Sequence, residues 1–180
     1  LRQEGGTLGG GGRWTVNGAF VWQGGTITGG LLLNGSSSIS GTGNRFLTGG
    51  SVTNAGTVNW TGGTVYLQNA AQMVNLSGAT FNVQSDASIS DAGGSETRSF
   101  NNAGTFTKSA GTIYTDISVA FNNSGVVNAN SGTLSLQSGG TSTGTFSAAS
   151  GAVLEYGGGT HSLGDGVVFT GAGTARVTGA

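Results

Sequence analysis

The single histidine of this 180-residue chain, His161, lies four residues before Asp165 in the segment YGGGTHSLGDG, Tyr156 to Gly166. With one of the 21 serines, these two groups could form a nucleophilic triad in which imidazole takes the serine proton and the carboxylate holds the imidazole. The segment is rich in glycine and polar residues, so the reading favoured for His161 is a surface contact on a loop. Asp86, Asp91 and Glu96 follow one another at five-residue steps. Paired carboxylates can hydrolyse a glycosidic bond when the fold sets their separation. A five-residue step across a loop fixes no such separation, and these side chains read as solvated loop charges. Calcium would call for alternating aspartates in a short loop or for the GGxGxDxUx repeat, and the chain has neither. No catalytic residue, cofactor or metal is expected. Tyr66 and Tyr114 follow Val65 and Ile113, out of phase with the apolar alternation around them, which places both on an outer surface. Together with Tyr156 and His161 they are the candidate contacts to a ligand, with a glycan stacking on the aromatic rings as the chemistry.

The elements that would carry these groups are announced by an unusual composition. Of 180 residues, 38 are glycine, and threonine, serine and asparagine bring the total for the four types to 97. Charged residues make up only 7%, whereas soluble domains average roughly 25%. A flexible linker could have that composition, but 35% of the chain is hydrophobic and proline is absent. With a formal charge of −1 and six scattered cationic residues there is no basic stripe for phosphates, which argues against nucleic acid and against an anionic membrane surface. The longest apolar run, LLL at Leu31 to Leu33, is far below the ~20 residues of a spanning helix. The absence of cysteine removes disulfides and thiolate metal sites. The first residue is leucine, which fits a mature form or a fragment.

The hydrophobic residues recur on two periods. A seven-residue step links Thr57 to Thr64 in AGTVNWTGGTVYL, Thr105 to Thr112 in AGTFTKSAGTI, and Val126 to Thr133 in SGVVNANSGTL. The same step occurs from Ala19, Thr80 and Thr145. A coiled coil is ruled out, since glycine interrupts every heptad and costs about 1 kcal/mol per helical position. Inside each step the alternation is period two: Val58 and Trp60 flank Asn59, and Phe81 and Val83 flank Asn82. That is the signature of short strands joined by tight turns. The longer period runs through Phe20, Ile39, Val58, Phe81, Phe106, Val127 and Phe146, with Phe169 as an eighth, at gaps of 19 to 25 residues. Gaps of that size point to a solenoid. The fold expected is all-β, a parallel β-solenoid of about eight coils of 19–25 residues. It forms one domain over 1–180, with loop excursions near 68–72, 90–99 and 156–166. Stacked parallel coils place like residues above like. Asn101 and Asn102 in NNAGTF then lie beneath Asn122 and Asn123 in NNSGVV, where amide side chains can form structural ladders.

The phrases NNAGTF, NNSGVV, TNAGTVNWTGGTV and NANSGTLSLQSGG make the chain resemble the Gly/Asn/Thr-rich β-helical repeat regions of bacterial secreted surface proteins, of the filamentous-haemagglutinin and autotransporter-adhesin type. The likeness covers roughly Gly18 to Gly179. It implies a right-handed coil, a location outside the cell, and a role as stalk, fibre or adhesive surface, without catalytic residues. The repeat pattern persists to GAGTARVTGA, and LRQEGGTLGGGGRWTV holds no amphipathic helix to cap the other end. Two expectations follow: self-association through the solenoid ends into a filament or, as the alternative, an adhesive passenger that binds glycan or matrix.

Overall fold

The computed structural model describes residues 1–94 and 96–179. Among them there is no helix, hence none long and apolar enough to cross a membrane; the regular structure is 26 short strands of two to four residues. Each coil visits three faces in turn, and the strands on each face stack in parallel into a sheet. Face one holds nine strands, from Arg2–Gln3 to Val168–Thr170; face two holds nine, from Thr7–Leu8 to Thr174–Val177; face three holds eight, from Arg13–Val16 to His161–Leu163. The chain is a three-sided β-solenoid of about eight turns. At the ~4.8 Å spacing of hydrogen-bonded strands, eight steps make a rod on the order of 40 Å long.

The sequence folds this way because a four-residue strand points two side chains inward and two outward. In Thr57–Trp60 the pattern is half-buried, buried, half-buried, buried, with Val58 and Trp60 inside. The register stacks Val58, Phe81, Phe106, Val127, Phe146 and Phe169 in one column. One member of the expected series is displaced. The coil below Val58 presents Ser37, and Ile39 stacks instead between Trp22 and Trp60. The reason is a short coil: Ser38 pairs with Val21, only seventeen residues before it.

Across the narrow lumen the aromatic rings interlock. Phe81 stacks on Phe106 at 5.5 Å and 3°, and Phe100 on Phe121 at 5.5 Å and 15°. Between these two columns the rings meet edge to face, Phe100 to Phe81 and to Phe106, each at 5.1 Å. Both geometries suit the ring quadrupole and are worth about 0.5–1.5 kcal/mol per pair beyond area burial.

Two of the three excursions expected from the sequence stay within the coil. At 68–72 the chain makes a tight turn, with Asn69 and Ala70 at φ of 51° and 58°, and the strand Gln72–Asn75 resumes twenty-one residues above Ser51–Asn54. At 156–166 the strand His161–Leu163 pairs with Gly140–Ser142, again twenty-one residues on. Glycine and polar residues there make corners, which resemble loops in composition. The chain lengthens between Asp91 and Ser99, where Ser99 pairs with Gln72 twenty-seven residues earlier.

One weak point of the core lies beside Trp22, whose indole N–H is also unpartnered. Ser37 is buried with its hydroxyl unpartnered, and it borders a void of about 10 Å³. Ser37→Val, completing the column under Val58, is expected to raise stability in urea unfolding by about 1 kcal/mol. Phe106→Ala, which opens the ring cluster, is expected to lower it by about 3–5 kcal/mol.

Candidate functional site

A solenoid corner turns some backbone carbonyls inward, where no strand can pair with them, so an interior donor must reach each. Between faces one and two, three different residues do this. Trp60 donates its indole N–H to the carbonyls of Gly62 and Gly63 at 3.1 and 2.9 Å. Arg45, fully buried, donates Nε to Trp22 O at 2.9 Å, and its terminal nitrogens to the carbonyls of Ser40, Gly41 and Gly43. Burial pulls the Arg45 pKa below its ordinary value. Lys108, also fully buried, donates to Asp86 Oδ1 at 2.8 Å, to Ser85 O and Ala110 O at 3.1 Å each, and to Thr115 Oγ1 at 3.2 Å. Lys108 thereby replaces Val83 in its column, and Asp86 answers the charge. The corner is tight: Gly111 holds φ +86°, and a Cβ there would run into Asp86 and Lys108.

Between faces three and one the donor is asparagine. Asn54, Asn75, Asn102 and Asn123 stack inside, each of the first three passing Nδ2–H to the Oδ1 of the next at 2.8 Å. The same amides also donate to the corner carbonyls of Thr80, Thr105 and Val126. The ladder ends where Ser142 stands above Asn123, whose Nδ2 is unpartnered. On the outside of the same strands, Asn122 donates to Asn101 Oδ1 at 2.8 Å and accepts from the Thr141 backbone N–H.

The candidate ligand contacts do not converge. Tyr66 stands on the outer side of face two and stacks on Phe46 at 5.1 Å and 19°. Tyr114 is 47% exposed on the same face, but its place differs from that of Tyr66. Register aligns Val65 with Ile89 and Ile89 with Ile117, so Tyr114 falls three residues ahead of the equivalent of Val65, and Ile113 is turned outward. Tyr156 is not a surface residue. It extends the interior column above Leu136 because it is in phase with buried Leu154, which the loop expected at 156–166 obscured. Burial raises the pKa of its hydroxyl. His161 packs edge-on against Tyr156 at 4.7 Å and lies 2.9 Å from Gly158 O through Nε2.

The candidate chemistry disperses in the same way. Asp86 is bound to Lys108, Asp91 pairs with Arg98, and the Glu96 carbonyl also accepts from Arg98. Ser142 sits in a GxSxG spacing, Gly140 to Gly144, that inspection for a triad would pick out. Its side chain points into the ladder column of a strand and is 6% exposed, so it has none of the exposure a nucleophile elbow provides. No group of three or more histidine or acidic residues gathers as a metal site among the described residues.

A polar column that sequence reading missed lies on face two, where Asp116, Ser135, Glu155 and Arg176 occupy successive rungs. Ser135 donates to Glu155 Oε1 at 2.9 Å, and Arg176 Nε to Glu155 Oε2 at 2.7 Å. Desolvation first, then the Glu155 charge, raise the pKa of Asp116. A further concavity lies at the last coil. It measures about 450 Å³ and is lined by Tyr156, His161, Leu163, Phe169, Ala175 and Val177. Compared with family models, with curated proteins and with solved structures, the chain matches none of them.

Two predictions follow from the charges. The Asp116 carboxyl is raised, so its ionised form destabilises the fold above the folded pKa, and the penalty disappears as pH falls through that value. Asp116→Asn is expected to raise the melting temperature near pH 7 and to leave it unchanged near about pH 3. Asp86 is the opposite case. Burial raises its pKa, but the Lys108 hydrogen bond and charge and the backbone N–H groups of Thr112 and Ile113 outweigh it and hold the carboxyl below its ordinary value. Asp86 stabilises the fold above the unfolded pKa, and that contribution is lost as pH falls through the folded one. Asp86→Asn should therefore lower the melting temperature at neutral pH, and calorimetry across acidic pH should show the difference from the parent shrinking.

Proposed function

We propose that this chain is a non-enzymatic structural protein, a β-solenoid segment of a bacterial surface fibre that works outside the cell. The observation that carries the reading is the in-register stack itself, three parallel sheets built by about eight turns of one chain. The strands Val168–Thr170, Thr174–Val177 and His161–Leu163 each have a hydrogen-bonded neighbour on one side only, as do the first strands at the opposite end. Beside those edges, apolar side chains are left in water: Leu163 at 46%, Phe169 at 42% and Val177 at 77% exposure. Unpaired edges around an apolar lumen are a template for another coil. A coil in register, whether more of the same chain or a second copy, would pair the edges and fill the cavity together. The interior supports the reading from another side, because buried Arg45, Lys108 and the ladder asparagines are engaged with corner carbonyls and with one another.

The second reading, an adhesive surface for glycan, is favoured by one feature, the Phe46–Tyr66 stack on the outer side of face two. Electron microscopy of the purified chain over a concentration series separates the two. Rods that lengthen with concentration, many times beyond ~40 Å, are expected. Single short particles at every concentration, together with glycan-array binding lost in Tyr66→Ala, would establish the adhesive reading instead.

A further inference from the structure

Of the asparagines in this chain, only Asn17 and Asn34 are followed by glycine. The register sets these two one above the other at the corner between faces three and one, since Val16 pairs with Leu33 and Leu33 with Asn54. The interior ladder of Asn54, Asn75, Asn102 and Asn123 therefore stands one residue earlier in the coil than Asn34. That single step separates two chemical situations. A ladder asparagine is at most 2% exposed, and the N–H that follows it is bonded to the coil below. Ala55 donates to Leu33 O, Leu76 to Asn54 O, Ala103 to Asn75 O and Ser124 to Asn102 O, all at 2.8–2.9 Å. The corner glycines are held as well, Gly56 by Asn54 Oδ1 and Gly125 by Asn123 Oδ1, each at 3.1 Å. Asn17 and Asn34 are exposed, and the N–H groups of Gly18 and Gly35 reach no acceptor among the described residues. Leu33 occupies the ladder's column and has no side-chain oxygen to offer Gly35. One contact links the pair, from Asn34 Nδ2 to Asn17 Oδ1 at 2.8 Å. A donor on that oxygen stabilises the negative charge that develops there when the side-chain carbonyl is attacked.

We propose that Asn17–Gly18 and Asn34–Gly35 are self-modifying sites, at which the side-chain amide is lost by spontaneous deamidation with water as the only co-reactant. The glycine nitrogen gives up its proton and bonds to Cγ of the asparagine before it. The Cγ–Nδ2 bond breaks, and the amide nitrogen leaves as ammonia with that proton. Water then adds to one carbonyl carbon of the cyclic imide and opens it. One opening leaves aspartate; the other leaves isoaspartate, whose main chain runs through the side-chain carbon. Glycine permits the approach because it carries no side chain and turns freely. Asn34 is in addition a positioning residue for Asn17, through the contact to Oδ1. Both products act on the stack. Two aspartates would stand one strand spacing apart, ~4.8 Å, where an amide hydrogen bond stood, and like charges so placed destabilise a sheet. Isoaspartate at 34 lengthens the main chain at the corner from which Ser36–Ile39 takes its register on Val21–Trp22. The inference does not depend on reading the chain as part of a fibre.

The test is incubation of the purified chain for days at mildly alkaline pH, folded and in urea, followed by proteolysis and tandem mass spectrometry. Fragmentation locates each exchange of amide for acid and tells aspartate from isoaspartate. In the folded chain Asn17 and Asn34 are expected to convert within about tenfold of their rates in urea, because neither needs the coil to open first. Both should slow as the pH is lowered, since the attacking nitrogen must lose its proton. Asn123, followed by the small Ser124, should convert in urea and stay intact in the folded chain. Asn34→Ala puts at 34 the residue found one coil above at Ala55. It is expected to slow conversion at Asn17 several-fold while the thermal melt stays cooperative. Asn17 and Asn34 intact in the folded chain but converted in urea would overturn the proposal, and so would conversion of Asn123 at the same rate in both states. An Asn17 rate unchanged in Asn34→Ala would overturn the part assigned to Asn34.

Discussion

Parallel in-register stacking is the constraint on which everything else in this molecule depends. Once the backbone of one coil is hydrogen-bonded to the next, a residue no longer has only sequence neighbours; it belongs to a column. The column decides whether a side chain is buried, what it touches, and which substitutions it tolerates. Phe106 is stabilised by Phe81 below it and by Phe100 and Phe121 across the lumen. Those residues lie six, fifteen and twenty-five positions away in the chain, yet all three rings are in contact with it. The interior is too narrow for a conventional layered core, so stacked rings in two facing columns supply what a sheet packed on another layer would supply elsewhere.

The same stacking creates the problem that the buried polar residues solve. The corners between faces one and two and between faces three and one aim carbonyl groups inward, and an unsatisfied one costs roughly 1–3 kcal/mol. The chain answers with donors of different chemistry at equivalent corners: an indole, a guanidinium and an ammonium between faces one and two, and a ladder of amides between faces three and one. Asparagine is the economical answer because its amide both donates to a corner and passes a bond to the next rung. Lys108 needs more help: an ammonium with no counter-charge in the lumen would be expensive, so Asp86 is drawn in and tied down by two backbone N–H groups. These groups look like the makings of an active site when met in a list. In the structure they are fasteners.

On the proposed reading, function in such a molecule is distributed over surfaces. From Ser36 to Thr170 face one carries an uncharged periodic array, face two carries Asp116, Arg176 and the exposed ring of Tyr114, and face three exposes Trp14. A rod built this way contacts its surroundings by repetition, many weak matched contacts summing along its length, and its interior can serve stability alone.

The sequence by itself determined the architecture. Period-two alternation, glycine at the corners and the long repeat pointed to a parallel solenoid, which buries Val58, Phe81 and Phe106 in one column and leaves Thr57, Thr80 and Thr105 outside. The pairing of Asn101 with Asn122 and of Asn102 with Asn123 was likewise readable, because both pairs keep the twenty-one-residue spacing of an undisturbed coil. The burial of Lys108 and Arg45 was written in the same alternation, two residues after Phe106 and two before Leu47, but the charge of each residue obscured the phase. Coil length was decided only in three dimensions. A coil can shorten to seventeen residues or lengthen to twenty-eight by changing a corner, and local sequence does not reveal which corner absorbs the change. That is why Ser37 took the place expected for Ile39, why Tyr156 went inside, and why the Asp116–Ser135–Glu155–Arg176 column could not be foreseen: its members are neighbours only through the ladder that stacks them.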